Sequence, residues 1–157
     1  MYDDVGSTED SALFEFISLY VGSQSFCIEL NCIREIRRWE PITILPHSPE
    51  YVLGVVNLRG AVIPIIDLAA KLGFPSLNPT KRNVIIICNL QDQVIGLLVE
   101  SVSEILTVKL SELKEAPRVR EDASHTAISA VISIKDEMTR VVDLTAMMDT
   151  QSVVHAG

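Results

Sequence analysis

Tyr51–Leu72 constrains this chain more than any other stretch. It reads Tyr-Val-Leu-Gly-Val-Val-Asn-Leu-Arg-Gly-Ala-Val-Ile-Pro-Ile-Ile-Asp-Leu-Ala-Ala-Lys-Leu. Val52–Asn57 and Ala61–Ile66 are short apolar runs rich in β-branched residues, which are stiff at χ1 and suit a pleated surface. Leu58-Arg59-Gly60 joins them as a hairpin turn, with Gly60 supplying the positive φ. Asp67 stands where an N-cap belongs, and Gly73 with Pro75 stops the helix Leu68–Leu72. Pro64 has no N–H to give a ladder, so its strand is expected at an edge or with a bulge.

The rest of the chain has the same grain. Leu13–Val21 is strand-like, Gly22-Ser23 offers a tight turn, and Gln24–Leu30 alternates apolar and polar residues as a half-buried return strand does. Asn31 is predicted to cap a short helical turn through Ile33, Arg34, Glu35 and Ile36. Pro41, Pro46 and Pro49 punctuate an irregular crossing, and Ser76–Arg82 reads as a linker. A shift of 69 positions then lays Ile17–Ile36 on Ile86–Ile105, with Gln24 on Gln93 and Glu35 on Glu104. A shift of 76 lays Val52–Leu72 on Ile128–Met148, with Asp67-Leu68 on Asp143-Leu144 and Arg59 on Lys135. The chain therefore divides into an acidic N-terminal tail over 1–11, a body over 12–149 holding repeats at about 13–72 and 82–148, and a tail over 150–157. Each repeat carries about five short strands with a helical turn or helix, which predicts an all-β (mainly β) fold of two small barrels. Whether strands are exchanged between the two subdomains stays open. The groove where the barrels meet is the natural place for a partner.

Composition narrows the function. The chain has 157 residues, 48% hydrophobic but only 5% aromatic, enough aliphatic content for a real core. A net charge of −8 argues against nucleic acid, whose phosphates demand Lys/Arg clusters, and against anionic lipid. Its basic cluster, Arg34, Arg37 and Arg38, is diluted by Glu35 and Glu40. Cys27, Cys32 and Cys88 have no CxxC pairing and read as small buried hydrophobes in a reducing compartment. The start lacks a signal-peptide pattern, and no apolar run approaches the ~18 residues of a membrane span. A cytoplasmic location is expected.

Nothing in the residues argues for catalysis, a cofactor or a metal. His47, His125 and His155 lack a second ligand at metal spacing. Gly54 and Gly60 build no phosphate cradle, and no serine or cysteine sits in a nucleophile elbow. Asp67 and Asp143 each stand where a helix begins and read as caps, not as a carboxylate pair. Arg59 is either a solvated hairpin corner or a guanidinium presented to a carboxylate, of a partner or across the groove. Glu35 reads on sequence physics as an exposed carboxylate on a helix face.

Gly54-Val-Val-Asn-Leu-Arg-Gly60 followed by Val62-Ile-Pro-Ile-Ile-Asp-Leu68 resembles the signature of CheW-like domains. The resemblance continues through Val84–Leu90, Val94–Glu100 and Val102–Leu106, ends at Met138–Leu144, and covers roughly 13–149. It implies two SH3-like five-stranded barrels around a shared hydrophobic region. It also implies a non-enzymatic adaptor that couples methyl-accepting chemoreceptors to the histidine kinase CheA in an array near the membrane, monomeric when isolated and not inserted in the bilayer. By the same resemblance the receptor's hairpin tip lies in the groove between the barrels, and the kinase's CheW-like regulatory domain docks on barrel ends. Glu35, Ile33, Ile36, Gly54, Arg59 and Val84 are the receptor-site residues this carries over. Two departures stand out: Ala130 where a glycine is usual, and Arg140 where an apolar residue is usual. Alternatives are an adaptor of a twitching or other chemosensory pathway, the coupling segment of a receiver-fused protein, and a small-ligand-binding or enzymatic barrel.

Overall fold

A computed structural model describes residues 12–116, 127–134 and 136–149. The chain runs β1 (Leu13–Val21), β2 (Gln24–Glu29), a 3-10 turn (Leu30–Cys32), β3 (Ile33–Arg38), β4 (Val52–Leu58), β5 (Ala61–Asp67) and α1 (Leu68–Lys71). It continues as β6 (Val84–Leu90), β7 (Gln93–Val99), β8 (Ser101–Lys109), a second 3-10 turn (Leu110–Glu112), β9 (Leu113–Glu115), β10 (Ile128–Ile134), β11 (Glu137–Val142) and α2 (Leu144–Asp149). The tails at 1–11 and 150–157, and Lys135, lie outside the described residues.

Two sheets hold these strands, in the orders β8-β1-β2-β11-β10-β9 and β3-β6-β7-β5-β4. Each sheet has a hairpin at its centre (β1–β2 or β6–β7), flanked by a strand on one side and a second hairpin on the other. In each, one pairing is parallel: β11 with β2, and β5 with β7. The first sheet joins the N-terminal hairpin to strands from the end of the chain. The second is built from β3–β7 alone.

Both sheets curl. β8 and β9 lie at opposite edges of the first sheet, yet only the three-residue turn Leu110–Glu112 separates them. In the second sheet the chain leaving β3 returns along the outer edge of β4, where Thr43 and Val55 exchange both backbone hydrogen bonds, at 2.9 and 2.8 Å. Gly54 makes this return possible. A methyl at its Cα would stand 2.2 Å from the Thr43 carbonyl oxygen.

Strand alternation sends neighbouring side chains into different cores. Ile85 and Ile87 point with Ile63, Ile65 and Leu98 into the five-stranded barrel. Ile86 and Cys88 point the other way and join Ile17, Leu19, Phe26, Ile28 and Leu97 in a core between the barrels. A third core, around Phe16, Cys27, Leu106 and Ile132, fills the six-stranded barrel. The continuous apolar run Val84–Cys88 is thus a strand buried on both faces. Complete burial of each such isoleucine is worth about 1.5–3 kcal/mol relative to exposure.

Several expectations are corrected here. The helical turn falls on Leu30–Cys32, and Ile33–Arg38 is a strand paired with β6, because that pairing completes the sheet edge for an Ile-rich segment. Pro64 lies within β5, between β4 and β7, not at an edge. It sits opposite Val55, whose own N–H and C=O turn outward to Thr43, and the pairing to β7 begins only at Ile65. No ladder bond is missing at the proline. The pairing does carry a bulge, on the partner strand between Val52 and Gly54. The first sheet has β9 as a sixth strand beside β10. Cys27 and Cys88 are buried, whereas Cys32 is half-exposed.

The two departures also find places. Ala130 is the sequence counterpart of Gly54, and its methyl packs in the core of the six-stranded barrel, where β9 takes the position that the Thr43 segment holds in the other. Arg140 is half-buried, and its guanidinium lies over the Phe26 ring, 5.2 Å from the centroid.

Gly54→Ala is expected to lower stability by about 1–3 kcal/mol or more, because a backbone segment must give way to the added methyl. Urea unfolding of the variant against the parent measures it.

Candidate functional site

β3 is an edge strand of alternating character, Ile33-Arg-Glu-Ile-Arg-Arg38. Its register with β6 pairs Glu35 with Ile87 and Arg37 with Ile85, so these two side chains share the barrel-core side of the sheet. Ile33, Ile36 and Arg38 pair with Cys88, Ile86 and Val84, on the side of the core between the barrels. The register shift between Ile33 and Glu35 is what lets Ile33 and Ile36 share a face. A single strand therefore serves a charged mouth and an apolar flank.

The charged mouth is a chain of guanidiniums and carboxylates. Arg59 Nη2 donates to Glu35 Oε1. Arg37 Nη1 donates to Glu35 Oε2 at 3.1 Å, and Arg37 Nη2 to Glu40 Oε2 at 3.0 Å. Both oxygens of Glu35 are therefore engaged, and its side chain is 26% exposed. The two guanidiniums hold its carboxyl below the ordinary value of 4.5, Arg59 contributing most. Glu35 is not the exposed helix-face carboxylate expected from sequence.

Arg59 reaches Glu35 from a turn. Leu58-Arg59-Gly60-Ala61 is a two-residue hairpin with φ of 51° at Arg59 and 89° at Gly60, and the Gly60 N–H donates to Asn57 Oδ1 at 3.1 Å. Arg59 thus sits in the left-handed region itself, beyond the single positive φ assigned to Gly60 from sequence. Such backbone costs of order 1–2 kcal/mol in a residue with a side chain. β3 and β4 are the two edges of the same sheet, so the Arg59–Glu35 pair ties one edge of the five-stranded barrel to the other. It does not cross the groove between the barrels. Arg59 remains 65% exposed, with most of its donors facing solvent. Beside the pair opens a cleft of about 80 Å³, rimmed by Arg34 and Arg59, with Ile63 and Ile87 of the barrel core at its floor.

The apolar flank gathers Ile33 and Val84, both half-buried against the core between the barrels, and Ile36, which is 45% exposed. Gly54 is elsewhere: buried on β4, packed on Thr43, with no surface of its own. The six residues carried over by resemblance therefore fall into a charged pair, an apolar trio and one buried glycine.

Asp67 and Asp143 stand at helix starts. Asp67 is wholly buried, and its carboxylate accepts from the N–H groups of Ala69 (3.1 Å), Ala70 (3.4 Å) and Leu77 (3.0 Å). Burial pushes its carboxyl up, partly offset by these bonds. Asp143 Oδ1 accepts from Ala146 N–H at 3.1 Å. The larger cleft beside it, about 560 Å³, is lined by Glu29, Cys32, Leu90 and Asp143 among others. Its thiol is a poor nucleophile, since burial and then the charges of Glu29 and Asp143 raise the Cys32 pKa. Burial lifts Cys27 to about 12 against a lowering hydrogen bond from Thr139, and burial with a smaller push from Cys32 lifts Cys88 to about 12. Among the described residues no His/Cys/Asp/Glu group is arranged to hold a metal ion, and no helix is long and apolar enough to cross a membrane.

The family model described as CheW-like domain matches residues 15–152. The chain belongs to the CheW-like family. It is 44% identical over 139 residues to the probable chemotaxis protein CheW of Rhizobium etli, covering 88% of this chain and 90% of that one. It is 42% identical over 137 residues to the chemotaxis protein CheW of Rhizobium meliloti, covering 87% and 88%. The crystal structure of the scaffolding protein TtCheW from Thermoanaerobacter tengcongensis superposes with a TM-score of 0.81 at 23% identity, over 88% of this chain and 94% of that one. That likeness supports the fold of two SH3-like barrels, which the strand orders above also display.

Sequence reasoning singled out Glu35 and Arg59 and did not join them. It noted Arg37 and Glu40 only as part of a diluted basic cluster, not as members of the site, where they complete the chain of charges. Their spacings from Glu35 on an extended strand, with like sides at alternate residues, were the available signal for Arg37. Glu35→Gln is expected to flatten the acid limb of the stability curve. A carboxyl whose folded pKa lies below its unfolded value stabilises the fold fully above about 4.5 and loses that contribution as pH falls through the folded value. Urea midpoints of parent and variant should therefore differ at neutral pH and converge in acid.

Proposed function

We propose that this chain works as a non-enzymatic coupling adaptor, holding chemoreceptors and the histidine kinase CheA in one signalling assembly. The carrying observation is the division of β3. Glu35 on one side anchors the exposed Arg59, while Ile33 and Ile36 on the other side, with Val84 of β6, form an apolar flank beside the core between the barrels. A surface with an apolar strip next to an oriented guanidinium suits docking of an amphipathic helix. In this reading the receptor's hairpin tip lies along that flank, and the kinase's regulatory domain docks on a barrel end. The chain does so as a monomer in the cytoplasm, at membrane-associated arrays, with weak contacts multiplied by the lattice.

We also take 13–72 and 82–148 as copies of one unit. The equal strand orders of the two sheets support this, with β1, β2, β3, β4 and β5 standing for β6, β7, β8, β10 and β11. Each copy lends its first hairpin to the other's barrel.

Arg59→Ala tests the functional reading. The guanidinium stands at an exposed turn, so the fold should survive, with a melting temperature within a few degrees of the parent. Receptor affinity is expected to fall about tenfold, the scale of one charge-assisted hydrogen bond, and receptor-dependent kinase stimulation to fall with it. Full stimulation by the variant would sink the assignment of Arg59.

A further inference from the structure

The two helices start alike and are covered differently. In the first half, residues 74–77 follow α1 and fold back over its start. The Phe74 N–H donates to the Ala69 carbonyl at 2.8 Å, and the Leu77 N–H closes on Asp67 Oδ2 at 3.0 Å. Between them the Phe74 ring covers Gly22 of the β1–β2 turn, 3.7 Å from where a Cβ would stand, and meets Phe26 edge-on with centroids 6.0 Å apart. Gly22, Asp67 and Ala69 fall on Gln91, Asp143 and Thr145 under the shifts of 69 and 76, and all three of these line the cleft of about 560 Å³. The backbone repeats there too. φ is 57° at Gly22 and 53° at Gln91, and the N–H groups of Asp67 and Asp143 donate to Tyr51 and Ala127, again 76 positions apart. One difference stands out: Asp143 caps through Oδ1, and its Oδ2 accepts no hydrogen bond among the described residues, whereas Asp67 Oδ2 holds Leu77.

We infer that this cleft is the docking site of the chain's own residues 150–157, with Val153 in the place of Leu77 and a backbone N–H of the segment on Asp143 Oδ2. The shift of 76 that relates the two helices lays Leu77 on Val153. The reach is sufficient: α2 has six residues and is about 9 Å long, and the chain from its end to Val153 spans up to about 13 Å when extended. The walls select the occupant. Leu90 and Leu144 offer apolar contact, while Glu29 and Asp143 accept hydrogen bonds and repel carboxylates. Residues 150–157 carry Val153 and Val154 and no Asp or Glu, whereas residues 1–11 carry Asp3, Asp4, Glu9 and Asp10 and would meet like charge. Glu29 and Cys32 come from the first half of the chain, so a segment held here ties the last helix to the end of β2.

Cys32 reports on the cleft, because it stands half-exposed on the wall while Cys27 and Cys88 are buried. The full chain is treated with N-ethylmaleimide at fixed pH, and labelling of each cysteine is followed by mass spectrometry of its peptide. Val153→Asp brings a carboxylate towards Glu29 and Asp143 and is expected to speed labelling of Cys32 about fivefold. Val153→Leu keeps an apolar side chain and should stay within about twofold of the parent. Unchanged protection of Cys27 and Cys88 verifies that both variants are folded. A Val153→Asp rate less than about twofold above the parent overturns the docking of 150–157 and leaves the cleft to a segment of another protein. A parent rate that falls as protein concentration rises overturns it as well, since the segment would then come from a second copy of the chain.

Discussion

Everything in this molecule depends on the fact that its central strands have no solvent face. β1, β2, β5, β6 and β7 bury one set of side chains inside a barrel and the alternate set between the barrels. Polar groups survive there only when saturated, as Asp67 is by three backbone N–H groups. Charge is consequently expelled to edge strands and turns. β3 and the β4–β5 turn are such places, and the candidate site stands where they meet.

The position of that meeting has a mechanical side. An open sheet edge offers unpaired backbone groups to any passing strand. In the five-stranded barrel the two edges are drawn together twice, by the Thr43–Val55 bridge and by the Arg59–Glu35 pair. The same guanidinium that helps close the barrel is the one that faces outward. Closure and the proposed recognition thus share an atom group, and Arg59 in its left-handed conformation is held by the turn on one side and by Glu35 on the other.

Much of this was legible in the residues. Alternating and β-branched runs located the hairpins, and glycine with its neighbours located their turns. Asp67 and Asp143 stood out because a carboxylate before an apolar turn has free N–H groups to accept from. What was not legible depended on partners distant in the chain. Ile33–Arg38 has helical spacing of its isoleucines, and only β6, some fifty residues later, makes it a strand. Pro64 pointed to an edge or a bulge; the bulge is there, on the partner strand, but Val55's outward bonding to Thr43, which lets the proline sit inside the sheet, has no local signature. Glu35 looked solvated when considered alone, and Arg59, 24 residues away, stood open between a solvated corner and a guanidinium presented to a carboxylate. Arg140 looked misplaced until Phe26 lay beneath it.

The interleaving of the two sheets also sets a timetable. β3–β7 are consecutive, so the five-stranded barrel can close as soon as those residues have left the ribosome. The β1–β2 hairpin is made first and completed last, since Phe16 waits for Leu106 and Phe26 for Arg140. Until then its two apolar faces have one available host, the outer face of the finished barrel, where Ile86 and Leu97 already await Ile17 and Ile28. Long-range strand pairing of this kind is slow and exposes sticky surface meanwhile. By chain order, then, the core between the barrels is the first surface on which the oldest strands can pack before the youngest have been made.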